Sequence, residues 1–275
     1  MPFYRLAMMT KLKLTILFCL LVTGLTNAYA GWYECYHFKG TIDKHPITLF
    51  LQVRQGYFGE KEKNDFNVIG VYKDDKPNNP IRLEGTINWE NKKALLYEIS
   101  SDKYSATFEF SFSESESDGV WKSLVTNQTM PLHLNYVSKL IDTLEANQFA
   151  GVEILQANSL TDYYFVGDYS KTNGQDRAQM AKLKIMRKKD NVIVQTIDFS
   201  KIGSSTGNVM TIIFDNVAVS NAKAKELHVS NNIGRMGGYL IITFNPKTKA
   251  FKLNPNPNFY NKLVHLFFNQ QLSKG

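Results

Sequence analysis

Residues 68–112 read VIGVYKDDKPNNPIRLEGTINWENKKALLYEISSDKYSATFEFSF, and this stretch decides the fold of the chain. Apolar and polar side chains alternate over residues 81–87 and again over 104–112, as they do in strands with one buried face. Residues 74–80 form a turn rich in Asp, Asn and Pro. Because the runs are short and no helical spacing falls between them, they predict an antiparallel meander that closes as a barrel or a sandwich.

The same strand pattern continues on both sides of this stretch. Residues 48–53 form an apolar run before it, and a second β region begins near Asp162. The polar turn 187–191 lies between two strand-like runs, which is the pattern of a β-hairpin. The predicted strands of the second region are residues 162–166, 181–186, 192–197, 209–214, 226–229, 239–244 and 250–253.

Two segments have helical spacing instead. Apolar residues recur at i, i+3, i+4 and i+7 in the first, which predicts a helix that connects the two β regions; they are Val137, Leu140, Ile141 and Leu144. A similar stripe over residues 263–272 predicts a C-terminal helix. The expected fold is mainly β, with an N-terminal β domain over residues 31–135, a helical connection over 136–158 and a C-terminal β domain over 159–275 that ends in a helix.

The first thirty residues have the order of a secretory signal peptide. Three basic residues up to Lys13 precede the apolar run 14–22, and the small-residue segment Ala28-Tyr29-Ala30 follows it. The apolar run is shorter than the ~20 residues that a membrane-spanning helix needs. We therefore expect cleavage after Ala30, a periplasmic or secreted protein, and no transmembrane segment once the signal is removed.

Composition narrows the classes of partner. Hydrophobic residues make up 43% of the chain and aromatic residues 13%, as expected for a folded protein. Removal of residues 1–30 lowers the formal net charge from +7 to +4 and leaves Cys35 as the single cysteine, so no internal disulfide can form. An exported protein is also separated from nucleic acid, ATP and NAD(P)H. We expect neither a nucleic-acid partner nor a cofactor.

One motif suggests catalysis. Residues 203–207 match G-x-S-x-G, and Asp215 and His228 follow Ser205 in the order of an α/β-hydrolase triad. That motif acts where a strand passes into a helix, whereas a β-rich run follows it here. Ser205, Asp215 and His228 are the catalytic candidates, and a hairpin loop is the alternative interpretation.

A second pattern suggests a metal site. Cys35 and His37 are two residues apart, so on a strand their side chains share one face, as two ligands of one ion must. A structural zinc site requires four such ligands at paired spacings. The alternative interpretation is a buried strand side chain beside a surface histidine.

Aromatic and basic residues of the second region suggest a recognition surface. Paired tyrosines beside acidic residues can stack on a sugar ring, although aromatic residues also fill β cores. A basic hairpin turn can meet an acidic partner, and the glycine-rich loop that contains Arg235 tolerates close approach of a ligand or partner, although glycine also simply permits tight turns. The candidate binding residues are Tyr163, Tyr164, Arg187, Lys188, Lys189 and Arg235.

These observations favour a non-enzymatic protein-binding module of the bacterial envelope, such as an inhibitor or immunity-like protein, whose partner is another envelope or secreted protein. Two alternatives stay open at this point. One is a hydrolase that acts on cell-envelope polymers or lipids. The other is a carrier of a small ligand in a β-barrel cavity.

Overall fold

A computed structural model describes residues 31–55, 66–142, 149–171, 177–202, 205–207, 209, 211–233 and 236–259. Its strands are β1 (Gly31–Ile42), β2 (His45–Gln55), β3 (Val68–Asp74), β4 (Pro80–Asn88), β5 (Lys93–Ser100), β6 (Lys103–Ser111), β7 (Glu116–Ser123), β8 (Thr129–Ile141), β9 (Phe149–Ser159), β10 (Tyr163–Lys171), β11 (Gln179–Arg187), β12 (Val192–Asp198), β13 (Ser205–Thr206), β14 (Val217–Asn221), β15 (Glu226–Ile233), β16 (Met236–Asn245) and β17 (Ala250–Phe259). The signal segment, the predicted C-terminal helix and Arg235 lie outside the described residues.

The first eight strands form a closed antiparallel barrel, which confirms the predicted meander. Each strand pairs with the next along the chain, and β8 pairs back with β1. In an eight-stranded barrel the interior is just wide enough for side chains to fill. The inward-facing residues are large and apolar, and those that are almost completely buried include Phe38, Leu49, Leu51, Leu83, Leu96, Phe108, Phe110 and Leu132.

The seam between β1 and β8 depends on a glycine. Gly40 lies opposite Leu134, and a Cβ atom at Gly40 would come within 1.9 Å of the backbone oxygen of His133. A side chain cannot be accommodated at that distance without movement of the backbone. Gly40 therefore allows the first and last strands to approach closely enough to close the barrel.

The predicted connecting helix is wrong wherever the structure describes it. Residues 136–141 belong to β8, and residues 149–158 belong to β9. The pairing of β8 with β1 shifts at Val137, because Ser138 lies opposite His37 whereas Tyr136 lies opposite Phe38. Because of this bulge, the apolar residues of β8 change from the inner face of the barrel to the outer face. The resulting spacing in the sequence resembles that of a helix.

Strands β9–β17 form two sheets. One has the order β12-β11-β10-β9, and the other has the order β13-β15-β16-β17 with β14 also paired to β15. The predicted hairpin is confirmed as β11 and β12. The predicted strand at 209–214 is wrong for every residue that the structure describes: residues 209, 211 and 212 lie outside the strands, and a 3-10 turn spans Ile213–Asp215. Ile213 and Phe214 are buried in this turn, so their apolar character reflects core packing and not strand pairing.

The outer wall of the barrel shares a core with the two sheets. Cys35, Phe50, Val71 and Leu140 point out of the barrel and pack in one cluster with residues of the second region, including Phe165. The buried Gln52 of β2 reaches the same region: its Nε2 donates to the backbone oxygen of Thr211 at 2.8 Å. The barrel and the two-sheet region are thus joined by both apolar and hydrogen-bonded contacts.

Candidate functional site

The structure does not bring the three catalytic candidates together. Ser205 lies in β13 opposite Asn232, and His228 is four residues earlier in β15, which corresponds to about 13 Å along the strand. The Ser205 hydroxyl accepts a hydrogen bond from Gln179 Nε2 at 3.1 Å. A general base must instead lie within hydrogen-bond reach of the serine that it activates.

The other two candidates also have local partners. Asp215 forms an ion pair with Arg82 on the barrel wall. His228 stacks on Tyr239 with ring centroids 4.0 Å apart, and its Nε2 lies 3.2 Å from Glu226. Burial lowers the pKa of His228. Asp215 thus joins the two parts of the molecule, and His228 packs on the outer face of its sheet.

Cys35 and His37 share the outward face of β1, as their spacing predicts. Cys35 is buried in the shared core, and burial raises the pKa of its thiol. The His37 ring stacks on Phe50 at 4.3 Å, its Nε2 is buried without a hydrogen-bond partner, and burial lowers its pKa to about 4. Over the described part of the chain, no group of three His, Cys, Asp or Glu residues is arranged to hold a metal ion.

The two candidate tyrosines have different environments. Tyr164 is only 2% exposed, and its hydroxyl donates to Asn191 Oδ1, so it is a core residue and not the surface platform that the sequence suggests. Tyr163 is half-buried between Phe251, 5.5 Å away between ring centroids, and Lys225, whose Nζ lies 5.0 Å from the ring centroid. Neither ring is open on both faces.

Two of the three basic residues in the β11–β12 turn are engaged by other groups. Arg187 donates to Asp190 from Nε and Nη2, at 2.8 and 2.7 Å. Lys188 Nζ donates to Ser159 Oγ at 3.0 Å, and burial lowers the pKa of Lys188. Lys189 is exposed, and within the described ranges no hydrogen bond or ion pair engages it. Among the described residues, Lys189 is therefore the basic side chain of this turn that stays available to another chain.

The barrel interior is a second possible site. Tyr72 and Ser105 both donate hydrogen bonds to the carboxylate of Glu98, the latter at 2.7 Å. Tyr72 also packs edge-on against Phe108, with 5.0 Å between ring centroids. These polar groups satisfy one another within a tightly packed interior, which does not favour an open lumen for a ligand.

An exposed apolar surface lies directly after the basic turn. Val192, Ile193 and Val194 of β12 are 46%, 48% and 40% exposed. Among the strands that the structure describes, β12 is the last on its side of the four-stranded sheet. Large aliphatic side chains at successive positions on an edge strand offer both apolar surface and unpaired backbone groups to another chain. We call these three residues the β12 edge.

A bulge explains why three successive residues are exposed. Gln195 pairs with Ile185 and Ile193 pairs with Met186, so Val194 is an extra residue on β12. Regular alternation would have turned every second side chain inward. The bulge interrupts this alternation and leaves all three aliphatic side chains at the surface.

The next residue of β12 is held to the other sheet. Gln195 Nε2 donates to the backbone oxygen of Phe251 at 2.7 Å, and the Phe251 N–H donates to Gln195 Oε1 at 2.8 Å. On the opposite side of the two-sheet region, Asn158 Nδ2 donates to the backbone oxygen of Val217 at 2.9 Å. Side-chain amides thus join the two sheets at both edges. The β12 edge lies directly before Gln195, the residue of β12 that makes this connection.

Sequence reasoning identified the correct hairpin but not its exposed strand. The charge of Arg187, Lys188 and Lys189 is visible in the sequence, whereas residues 192–194 look like an ordinary half of a buried hairpin. The sequence does contain one indication of the exposed strand, which is that apolar and polar residues do not alternate there. Three β-branched residues in succession put apolar side chains on both faces of a strand. An edge position is not visible from that pattern alone.

Comparisons with protein-family models, with curated proteins and with solved structures each found no match. Among the described residues there is also no helix with the length and apolar character needed to cross a bilayer.

Proposed function

We propose that this chain is a non-enzymatic protein-binding module of the bacterial envelope. The observation that carries the proposal is the β12 edge, Val192–Val194, beside the exposed charge of Lys189. The partner is another envelope or secreted protein, since the signal-like segment directs the chain to that compartment. An inhibitor or immunity-like role is the form of binding that this location favours.

Exposed aliphatic groups on a strand edge support this proposal. Burial of such groups favours association, since each Å² of apolar surface removed from water contributes about 25 cal/mol before the entropic cost of association is subtracted. Natural proteins usually protect strand edges by charge, proline or coverage, because an open edge invites pairing with other chains. At the β12 edge the side chains on both faces are aliphatic, so it is suited to recognition.

The geometry supports binding better than hydrolysis. Ser205, Asp215 and His228 are each engaged by a different neighbour, and a hydrolase of this type needs the serine and the histidine in direct contact. The filled barrel interior likewise gives less support to ligand carriage.

Site-specific photo-crosslinking tests the proposal. A photoreactive phenylalanine analogue replaces Ile193 in one variant and Val137 in a control, because Val137 is 46% exposed and belongs to β8 of the barrel, which pairs with β1 and β7 and not with β12. We expect a discrete protein adduct in the envelope fraction from position 193 and none from position 137. Equal adducts at both positions, lipid adducts alone, or no adduct would contradict the proposal.

A further inference from the structure

We infer that the β12 edge binds its partner by strand addition, and that the partner supplies an extended aliphatic segment with an acidic residue that meets Lys189. This inference rests on the proposed function and specifies the mode of binding and the chemistry of the partner. It requires three properties of the site: open backbone groups, apolar side chains on both faces of the strand, and a local excess of positive charge.

The backbone requirement follows from the topology. The ladder between β11 and β12 engages one side of β12, and in the described part of the chain no strand pairs with its other side. A strand edge of this kind presents alternating N–H and C=O groups to an incoming chain. An extended peptide can use them as a neighbouring strand would, which is the basis of β-strand addition.

The side chains of the β12 edge point to opposite faces of the sheet. Residues that lie opposite one another in an antiparallel ladder share a face. Ile193 is therefore on the face of Met186, and Val192 is on the other face with Arg187. A strand added along the edge contacts both faces at once, through alternate side chains. A flat membrane surface contacts only one, so this arrangement favours an extended peptide over a lipid surface.

The charge of the site selects the partner's polar residue. Arg187 is neutralised by Asp190, and Lys184 of the same hairpin is paired with Glu153. Lys189, three residues before Val192, has no acidic partner within the described ranges. An acidic residue at one end of the added segment would meet this charge, whereas a basic residue would be repelled.

Three fluorescein-labelled, terminally capped peptides test the inference by fluorescence anisotropy with the whole chain after signal removal. DVTVTVD carries valines on one face, threonines with their methyl groups on the other, and acidic ends. KVTVTVK has basic ends, and DVTPTVD carries a proline that removes a backbone donor. We expect the chain to bind DVTVTVD at least tenfold more tightly than either of the other two. Equal affinity for the proline peptide would overturn strand addition, and preference for KVTVTVK would overturn the role of Lys189.

Three variants assign the binding to the proposed surface. Ile193→Lys should weaken the binding of DVTVTVD at least tenfold, and Lys189→Glu should shift the preference towards KVTVTVK. The control Val137→Lys should leave both affinities unchanged, because Val137 is equally exposed elsewhere. If Ile193→Lys lowers the midpoint of thermal unfolding, Ile193→Thr takes its place, since it keeps a β-branched residue in the strand.

The remaining outcomes separate this inference from the proposed function. No binding of any peptide, together with a protein adduct at position 193, would overturn strand addition and leave protein binding in place. In another outcome the protein floats with phosphatidylglycerol vesicles, Ile193→Lys abolishes this flotation, and no peptide binds. The β12 edge would then be a lipid-binding surface, and the inference would be overturned. If position 193 gives no protein adduct although the peptides bind as expected, the strand edge is competent and the proposed cellular function is wrong.

Discussion

Lys171 Nζ lies 2.6 Å from Asp142 Oδ1, and the two side chains are only 1% and 2% exposed. Asp142 directly follows the last strand of the barrel, and Lys171 is the last residue of β10. The second carboxylate oxygen of Asp142 accepts the backbone N–H of Ala178 at 2.8 Å. This buried pair therefore joins the end of the barrel to the four-stranded sheet.

Loss of one partner of this pair should destabilise the protein strongly. Lys171→Met leaves the Asp142 carboxylate buried without its cation, and such changes cost about 3–5 kcal/mol. The free energy of unfolding, measured by urea denaturation, should fall by that amount. Lys184→Met is the control, because its ion pair is more exposed, at 20% for Lys184 and 54% for Glu153, and should contribute below about 1 kcal/mol. Similar losses for the two variants would show that the buried pair is not important for stability.

Closure of the barrel should depend on Gly40. Gly40→Ala places a methyl group against the backbone of β8, so either β1 or β8 must move. We expect the free energy of unfolding to fall by more than about 2 kcal/mol, as for other severe overpacking. Gly151→Ala is a useful comparison: Gly151 has a φ of +75° and open space around its Cβ position, so only backbone strain of about 1 kcal/mol applies. Urea denaturation of both variants checks the order. A smaller loss for Gly40→Ala would contradict the seam argument.

The amide of Gln52 should be important for attachment of the barrel to the two-sheet region. Its Nε2 donates to the backbone oxygens of Val209 and Thr211, and its Oε1 accepts the Ile213 N–H at 2.9 Å. Gln52→Leu leaves these buried groups unpaired, at about 1–3 kcal/mol for each group.

We expect Gln52→Leu to lower the unfolding free energy by at least about 3 kcal/mol, the lower limit for three such groups. Hydrogen exchange of the Ile213 amide should also become faster in this variant. Gln128→Leu on an exposed turn should change neither quantity. Unchanged exchange at Ile213 would exclude the proposed role of Gln52.

His37 should make the protein less stable in mild acid. Burial lowers its pKa from 6.5 to about 4 in the folded state, so below pH 6.5 the unfolded chain binds a proton that the folded chain does not. Stability should therefore fall as the pH decreases from 6.5 to 4, by up to about 3 kcal/mol from this residue. Two charged neighbours also act on the His37 ring: Lys39 lowers its pKa further, and Glu153 raises it.

The variant His37→Phe isolates this contribution. Phenylalanine keeps the stacking on Phe50 and removes both the titration and the buried Nε2 that lacks a partner. The difference in unfolding free energy between pH 7 and pH 4 should be smaller in this variant than in the parent chain. Equal differences in the two proteins would mean that His37 does not cause the acid sensitivity.

Local sequence patterns predict the strands of this protein better than they predict which side chains are exposed. Alternation in residues 81–87 and 104–112 predicts strands correctly, because each has one face in the barrel and the other on its outer wall. The helix expected from Val137 and Leu140 is wrong because a single bulge moves apolar residues from one face to the other. The sequence suggests a surface position for Tyr164, yet Tyr164 is buried and Lys73 of the barrel lies over its ring, a contact between residues far apart in the chain.

The amino-acid sequence by itself determined that this chain is built from antiparallel strands, since strand alternation and turn residues act over a few neighbouring positions. It also determined the basic turn at Arg187–Lys189. Only the tertiary structure decided that β1 and β8 close a barrel, that Lys171 meets Asp142, and that Val192–Val194 lie on an edge. These features depend on which strands become neighbours, and pairing over long distances in the chain is set by packing of the whole molecule and not by local pattern.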